Sequence, residues 1–155
     1  MKKIIYKLTY LTALFSLFYS CDDVERVYYN DGAETVLTLS DDNLVLNEEN
    51  ASNEVLSLTW TEPDFGFNAA ALYSVQIDVQ DGDFSNPQII SVGGAFDKTF
   101  TVEELNAKLL SLSMVPNEEG VASFRIKATL SEYQEIYSNT VSISVTPYSS
   151  LLDLS

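Results

Sequence analysis

The chain has 155 residues, with 23 acidic side chains against eight basic ones, no histidine and a single cysteine. This acidity excludes the phosphate backbone of nucleic acids as a partner, because that binding needs clustered lysine and arginine. The lack of histidine excludes Ser–His and Cys–His catalytic pairs, and one cysteine cannot form an internal disulfide. The length fits a single domain.

The chain begins with a segment typical of a secretory signal. Lys2, Lys3 and Lys7 precede an apolar run, Leu8–Tyr19, and the small residue Ser20 follows it. The run is shorter than the about 20 residues that a membrane-spanning helix needs. We therefore predict that residues 1–20 are a signal peptide that is removed.

The only cysteine, Cys21, comes directly after this segment, and Asp22, Asp23 and Glu25 follow it. The arrangement resembles the signal of bacterial lipoproteins, which implies that Cys21 becomes an acylated N-terminus. The acidic residues resemble the signal that exports Bacteroidetes lipoproteins to the cell surface. In enteric bacteria, Asp22 would instead imply retention at the inner membrane. The alternative to lipidation is an ordinary secreted protein with an unpaired cysteine.

All 23 acids follow Cys21, and only five bases remain after it, so the chain from Cys21 onward has a net charge of −18. Such a surface disfavours a polybasic grip on anionic lipid, while neutral ligands, cations and other proteins stay open. Residues 21–35 are polar and irregular, and we predict that they form an acidic tether.

From residue 36 onward, short segments with alternating apolar and polar residues are separated by turn residues, the pattern of half-buried strands. Trp60 shares one face of its strand with Leu56 and Leu58, so we expect it in the core. The predicted strands are Val36–Ser40, Asn43–Asn47, Val55–Thr61, Leu72–Val79, Gln88–Val92, Asp97–Phe100, Val121–Leu130 and Tyr137–Val145.

One segment, Thr101–Leu112, has a helical period instead. Leu105, Leu109 and Leu112 recur at helical spacing, and Thr101 with a glutamate three residues later forms a capping box. Together these elements predict an all-β immunoglobulin-like or fibronectin III-like sandwich of about seven strands with one short helix, over residues 36–148. A barrel is the alternative. Residues 149–155 are expected to form a C-terminal tail.

Candidate chemistry is sparse in this sequence. Adjacent acids in turns do not supply the two opposed carboxyl groups of a glycosidase, so we predict no enzyme activity, no cofactor and no metal. Asp78, Asp81 and Asp83 crowd one turn, where a calcium site is the alternative to an ordinary hairpin turn.

Three loop aromatic residues are the candidates for direct glycan contact, because sugars stack on flat rings. The competing interpretation is that these rings anchor their loops on the edge of the core. The candidates are Phe65, Phe67 and Tyr133.

Most of the domain also resembles a known family. The stretch Leu37–Asp78, followed by FTVEELNAKLL, FRIKATL and YSNTVSISVTPY, is similar to the N-terminal domain of SusE- and SusF-type proteins. These are surface lipoproteins of Bacteroidetes starch-utilisation systems. The resemblance covers residues 36–148 and implies a lipid-anchored outer-membrane protein facing outward.

The resemblance also implies a role and partners. The expected role is that of a non-catalytic accessory or spacer domain in a polysaccharide-uptake complex, beside a porin-like transporter and a partner binding lipoprotein. Starch or another neutral glycan is the expected ligand of the complex. The alternative role is a module that contacts the glycan itself through its loop aromatics.

Overall fold

The computed structural model describes residues 35–65, 70–131 and 134–149. The predicted site residues that lie outside these ranges are Cys21, Asp22, Asp23, Glu25, Phe67 and Tyr133.

Within the described ranges the chain forms nine strands, one α-helix and a short 3-10 turn at Glu48–Asn50. The helix α1 spans Val102–Ser111. The strands are β1 Leu37–Leu39, β2 Asn43–Val45, β3 Glu54–Trp60, β4 Leu72–Val79, β5 Gln88–Gly93, β6 Asp97–Thr101, β7 Gly120–Ser131, β8 Gln134–Tyr137 and β9 Val141–Thr146.

The strands form two sheets, which confirms the predicted all-β sandwich. The smaller sheet has the order β1-β3-β6, and the larger has the order β2-β9-β7-β4-β5, with β8 paired to β7. Neighbouring strands are antiparallel except for β2 and β9, which are parallel. Strands β1 and β2 are consecutive along the chain but belong to different sheets, so the chain changes sheet between them.

The core lies between the two sheets and follows the predicted alternation. Leu56, Leu58 and Trp60 point inward from β3 and are at most 5% exposed. Inward-facing apolar residues of β4 and β7 meet them from the other sheet, and Leu105 and Leu109 of α1 close one end. Burial of these apolar surfaces is the main stabilising contribution of the fold.

The helix begins where the capping box predicts. The Thr101 hydroxyl accepts a hydrogen bond from the Glu104 amide at 3.2 Å, which satisfies one free N–H of the first turn. The Glu104 carboxylate forms an ion pair with Lys98 at 2.8 Å, so it ties α1 to β6. Among the described residues, no helix is long and apolar enough to cross a membrane.

The predicted continuous last strand, Tyr137–Val145, is wrong, because it is divided into β8 and β9. At the break, the Ser138 hydroxyl accepts from the Ile126 amide at 2.8 Å and the Ser138 amide donates to Ile126 O. The Asn139 side chain accepts from Leu37 N and donates to Leu37 O, at 2.8 and 3.2 Å. These bonds draw the chain out of the ladder and join the two sheets through β1.

The described part of the chain begins at one end of the sandwich and finishes at the other. The first residue of β4, Leu72, pairs with Thr129 near the end of β7. The first residue of β7, Gly120, pairs with Val145 near the end of β9. The last described residues follow β9, so the described part of the chain finishes at the Gly120 end of the larger sheet.

The described residues begin at the other end of the sandwich. The Trp60 and Tyr73 ring centroids are 6.0 Å apart, so β3 finishes beside the start of β4. Thr35 lies there, 1% exposed, and its hydroxyl donates to Thr61 O at 2.7 Å. Thr35, the first described residue, is thus already part of the folded domain.

Candidate functional site on the outer face of the larger sheet

A band of residues crosses the outer face of the larger sheet on three neighbouring strands. In the strand register, Ile89 of β5 lies opposite Gln76 of β4, which lies opposite Arg125 of β7. Ile89 is 58% exposed, whereas Gln76 is 5% exposed. We call these three residues, with Phe84 and Tyr137, the outer-face site.

Arg125 is the centre of the outer-face site. Its Nε donates to Gln76 Oε1 at 2.7 Å, which fixes the orientation of the guanidinium group. Its Cζ lies 4.1 Å from the centroid of the Phe84 ring and 4.2 Å from that of the Tyr137 ring. Each ring attracts the cation through its negative face, so the two aromatic side chains hold Arg125 from two sides.

Phe84 reaches Arg125 because of an unusual loop between β4 and β5. Its φ of 56° lies in the left-handed region, which is rare for a bulky residue. The Phe84 amide donates to the Asp78 carboxylate at 2.9 Å, and the same carboxylate accepts from the Val79 amide at 2.8 Å. Asp78 therefore keeps the loop in a conformation that places Phe84 on Arg125.

A glycine makes this arrangement sterically possible. A Cβ added at Gly82 would stand 2.4 Å from the Asp78 carboxylate, which is far inside van der Waals contact. The close approach lets the loop fold down over β4 and cover Asp78, which is only 8% exposed. Only glycine fits here, because hydrogen bonds from two backbone amides hold the Asp78 carboxylate in place.

On the other side of Arg125, a hydrogen bond to a charged carboxylate holds Tyr137 in place. Its hydroxyl donates to the Glu135 carboxylate at 2.9 Å, and Lys127 forms an ion pair with the same carboxylate. The hydrogen bond from Lys127, followed by that from Tyr137, lowers the pKa of Glu135 below its ordinary value. Burial, and then the hydrogen bond to Glu135, raises the pKa of the Tyr137 phenol.

Arg125 itself has no carboxylate partner among the residues that the structure describes. The ion pairs there are Lys98 with Glu104 and Lys127 with Glu135. Arg125 is therefore a cation held by rings and an amide, in a chain whose acids greatly outnumber its bases. Within the described ranges, its guanidinium donates a hydrogen bond only through Nε, so the two amino groups have no hydrogen-bond partner there.

Two carboxylates of the turn at which calcium was the alternative to an ordinary hairpin turn bind backbone amides in the structure. Asp78 holds the amides of Val79 and Phe84, and Asp83 accepts from the Ser85 amide at 2.9 Å. The hydrogen bonds from Ser85 lower the pKa of Asp83. No group of three or more potential metal-ligating side chains is present among the described residues.

Of the three aromatic residues predicted to contact glycan, the structure describes only Phe65. Its side chain is 2% exposed and belongs to the core cluster, so it presents no free ring surface. Phe67 and Tyr133 lie outside the described residues. Among the described aromatic side chains, Phe96 and Tyr137 are exposed, and Phe84 is half-buried.

Two aromatic residues of the core, Trp60 and Tyr73, each carry a buried polar atom. Trp60 Nε1 and Tyr73 Oη have no hydrogen-bond partner among the described residues. Burial, and to a smaller degree the charge of Glu62, raises the pKa of the Tyr73 phenol. The Tyr73 ring also contacts Phe96, with centroids 5.3 Å apart.

Sequence reasoning missed the outer-face site, although part of the signal was present. Gln76 and Arg125 occupy the polar positions of two alternating strands, where the prediction placed ordinary solvated side chains. The residues that complete the site, Phe84 and Tyr137, come from a turn and from the divided last strand. Their meeting depends on the register of β4, β7 and β8.

Comparison with known proteins gives a family match and distant likenesses to solved structures. The family model described as "SusE outer membrane protein" matches residues 22–127. None of the curated proteins matches the chain. A crystal structure of the periplasmic chaperone SfaE is similar to 75% of this chain, at 16% identity and a TM-score of 0.33. The chain spans 59% of the length of that chaperone.

Proposed function

We propose a function for this chain from the premise that it belongs to the SusE outer membrane protein family, whose model matches residues 22–127. The chain is thus a protein of the outer membrane. We propose that it is a non-catalytic spacer domain, which holds its two ends apart within a polysaccharide-uptake complex. The glycan of that complex would be starch or a similar polysaccharide.

One observation carries this proposal: the two ends of the domain lie at opposite ends of the sandwich, and a buried polar residue fixes each. At the start, Thr35 bonds Thr61 O, and the Thr61 hydroxyl accepts from Val36 N at 2.9 Å. The strand β7, with 12 residues, spans about 40 Å at roughly 3.3 Å per residue. A rigid domain of this length would keep whatever is attached at its two ends at a fixed separation.

The exit is fixed by a reciprocal pair of hydrogen bonds. Asn106 of α1 is 2% exposed; its Nδ2 donates to Tyr148 O at 3.1 Å and its Oδ1 accepts from Tyr148 N at 2.9 Å. In addition, the Asn117 amide donates to Pro147 O at 2.7 Å. The backbone after β9 therefore leaves the sandwich in a defined direction.

The anchor and the neighbours complete the proposal. Residues 1–20 would be removed as a signal peptide, Cys21 would carry the acyl chains, and residues 21–35 would form the acidic tether. Asp22, Asp23 and Glu25 would direct the protein to the cell exterior. The neighbours would be a porin-like transporter and a binding lipoprotein. Palmitate labelling that disappears in Cys21→Ala would support the anchor, and persisting label would contradict it.

A spin-label distance measurement tests the spacer itself. In the acylated protein, labels at Val36→Cys and Ser149→Cys should give one narrow, long distance. The substitution Asn106→Ala should broaden that distribution, because it releases the exit, whereas the exposed Asn86→Ala should leave it unchanged. A broad distribution in the protein without either substitution would refute a rigid spacer.

A further inference from the structure

The outer-face site has the features of a binding site rather than of an ordinary solvated surface. Phe84 is kept at a φ of 56° by a buried carboxylate, and backbone strain of this kind persists only where the surroundings enforce it. The result of the strain is the placement of Phe84 on Arg125. The side of Arg125 that carries Nε is occupied by Gln76, so the donors that remain are the two amino groups.

The geometry of these donors restricts what can bind. With rings about 4 Å away on two sides, a ligand reaches Arg125 along the plane of the guanidinium group. With Nε bound to Gln76, the two amino groups are the donors left in that plane, and they match the two oxygens of one carboxylate. A single hydroxyl would satisfy only one of these donors. The ligand group that fits best is therefore a carboxylate.

The surrounding charge restricts the ligand further. Apart from Arg125 and the Lys127–Glu135 pair, the chain is strongly acidic. A polymer with a carboxylate on every residue would be repelled, because its further charges find no cations. An isolated carboxylate on an otherwise neutral ligand is accepted, since charges beyond about 8 Å are screened at physiological salt.

We propose that the outer-face site binds a largely neutral glycan through an isolated uronic acid, whose carboxylate pairs with the amino groups of Arg125 while the sugar ring packs against Tyr137. Tyr137 is 38% exposed and Ile89 is 58% exposed, so apolar surface is open on both sides of Arg125 for the neighbouring sugars. The inference rests on the proposed role in polysaccharide uptake for the choice of a glycan over an acidic protein segment, and it replaces starch, which has no carboxylate, with a glycan that carries uronic acid.

The test uses the acylated protein in detergent micelles and titration calorimetry. The probe is a xylo-oligosaccharide that carries one glucuronic acid, compared with the unsubstituted oligosaccharide of the same length and with polygalacturonate. We expect binding of the first probe only. Arg125→Lys keeps the charge but loses the two-donor fork, and it should weaken binding by at least about ten-fold. Lys108→Gln changes the net charge by one unit on α1 and should leave the affinity unchanged.

A second measurement needs no substitution in the outer-face site. The chain has two arginines, Arg26 and Arg125, so the side-chain Nε–H signals in a nitrogen-15 NMR spectrum are assigned by Arg26→Lys. The substituted oligosaccharide should shift the Arg125 signal and not that of Arg26.

Three results would overturn the inference. They are an unmoved Arg125 signal, equal binding of the neutral oligosaccharide, and a shift produced by a glutamate-containing peptide but not by the sugar. The last result would assign the site to a partner protein. None of them affects the distance between the spin labels, so failure of this inference is distinguishable from failure of the spacer.

Discussion

The two faces of the larger sheet are both buried near its centre, but by different means. On the inner face, the four side chains Val75, Ile77, Phe124 and Ile126 have no exposed surface, because the smaller sheet covers them. On the outer face, Gln76, Asp78 and Ser123 are 5%, 8% and 7% exposed. Asp78 is covered by the folded loop between β4 and β5 rather than by a second sheet.

This difference determines what stabilises each face. The inner face gains stability in proportion to the apolar area removed from water. The outer face gains little from area, and each of its buried polar groups needs a partner to avoid a desolvation cost. The Asp78 carboxylate accepts hydrogen bonds from two backbone amides, and the Gln76 side chain accepts one from Arg125. The hydroxyl of Ser123 lies 2.9 Å from that of Ser142.

The largest effect is expected on the inner face. Phe124→Ala removes a fully buried ring and should lower the free energy of unfolding by about 3–5 kcal/mol. The matched control is Phe96→Ala, where the ring is 42% exposed and the loss should be less than half as large. Urea unfolding followed by Trp60 fluorescence measures both. Equal losses would mean that the core does not lie between the sheets as described.

An intermediate effect is expected where the loop covers the outer face. Gly82→Ala forces a methyl group against the Asp78 carboxylate and should cost about 1–3 kcal/mol through displaced amide hydrogen bonds. The same substitution at Gly94 meets nothing within 4 Å and should be neutral, or stabilising by up to about 1 kcal/mol. Thermal unfolding compares the two, and a harmless Gly82→Ala would show that the loop does not press on Asp78.

The smallest effect is expected at Glu135, which accepts a hydrogen bond from Tyr137 of the outer-face site, and this effect depends on pH. The pKa of Glu135 is lowered by the hydrogen bonds from Lys127 and Tyr137. The folded state therefore gains stability above the ordinary pKa of glutamate, and this gain is lost as the pH falls through the lowered value. A carbon-13 NMR titration of the Glu135 carboxyl should show the lowered value, and Lys127→Gln should raise it. A Glu135 that titrates at or above its ordinary pKa would contradict the contact.

The sequence predicted the inner face well and the outer face poorly. Leu56, Leu58 and Trp60 alternate, and alternation assigns each to one side of a strand without knowledge of its neighbours. Asp78 and Gln76 also alternate, yet their burial depends on a loop that folds over them. A turn sequence indicates where the chain reverses and does not reveal the surface on which the loop will lie.

The division of the last predicted strand shows the same limit. The apolar positions from Tyr137 to Val145 keep one alternation throughout, so nothing local marks the break. The break arises because Asn139 bonds both backbone groups of Leu37, which is 102 residues away along the chain.

Local pattern therefore predicted most of the strands, the helix with its Thr101 cap, and the inward-facing residues of the core. Only the tertiary structure decided that Phe84 and Tyr137 meet on Arg125, that Phe65 is buried, and that the first and last described residues lie at opposite ends of the sandwich. The physical reason is the separation along the chain between the residues that interact. Alternation and capping act between residues a few positions apart, whereas these contacts form only after strand pairing has fixed the register across the sheet.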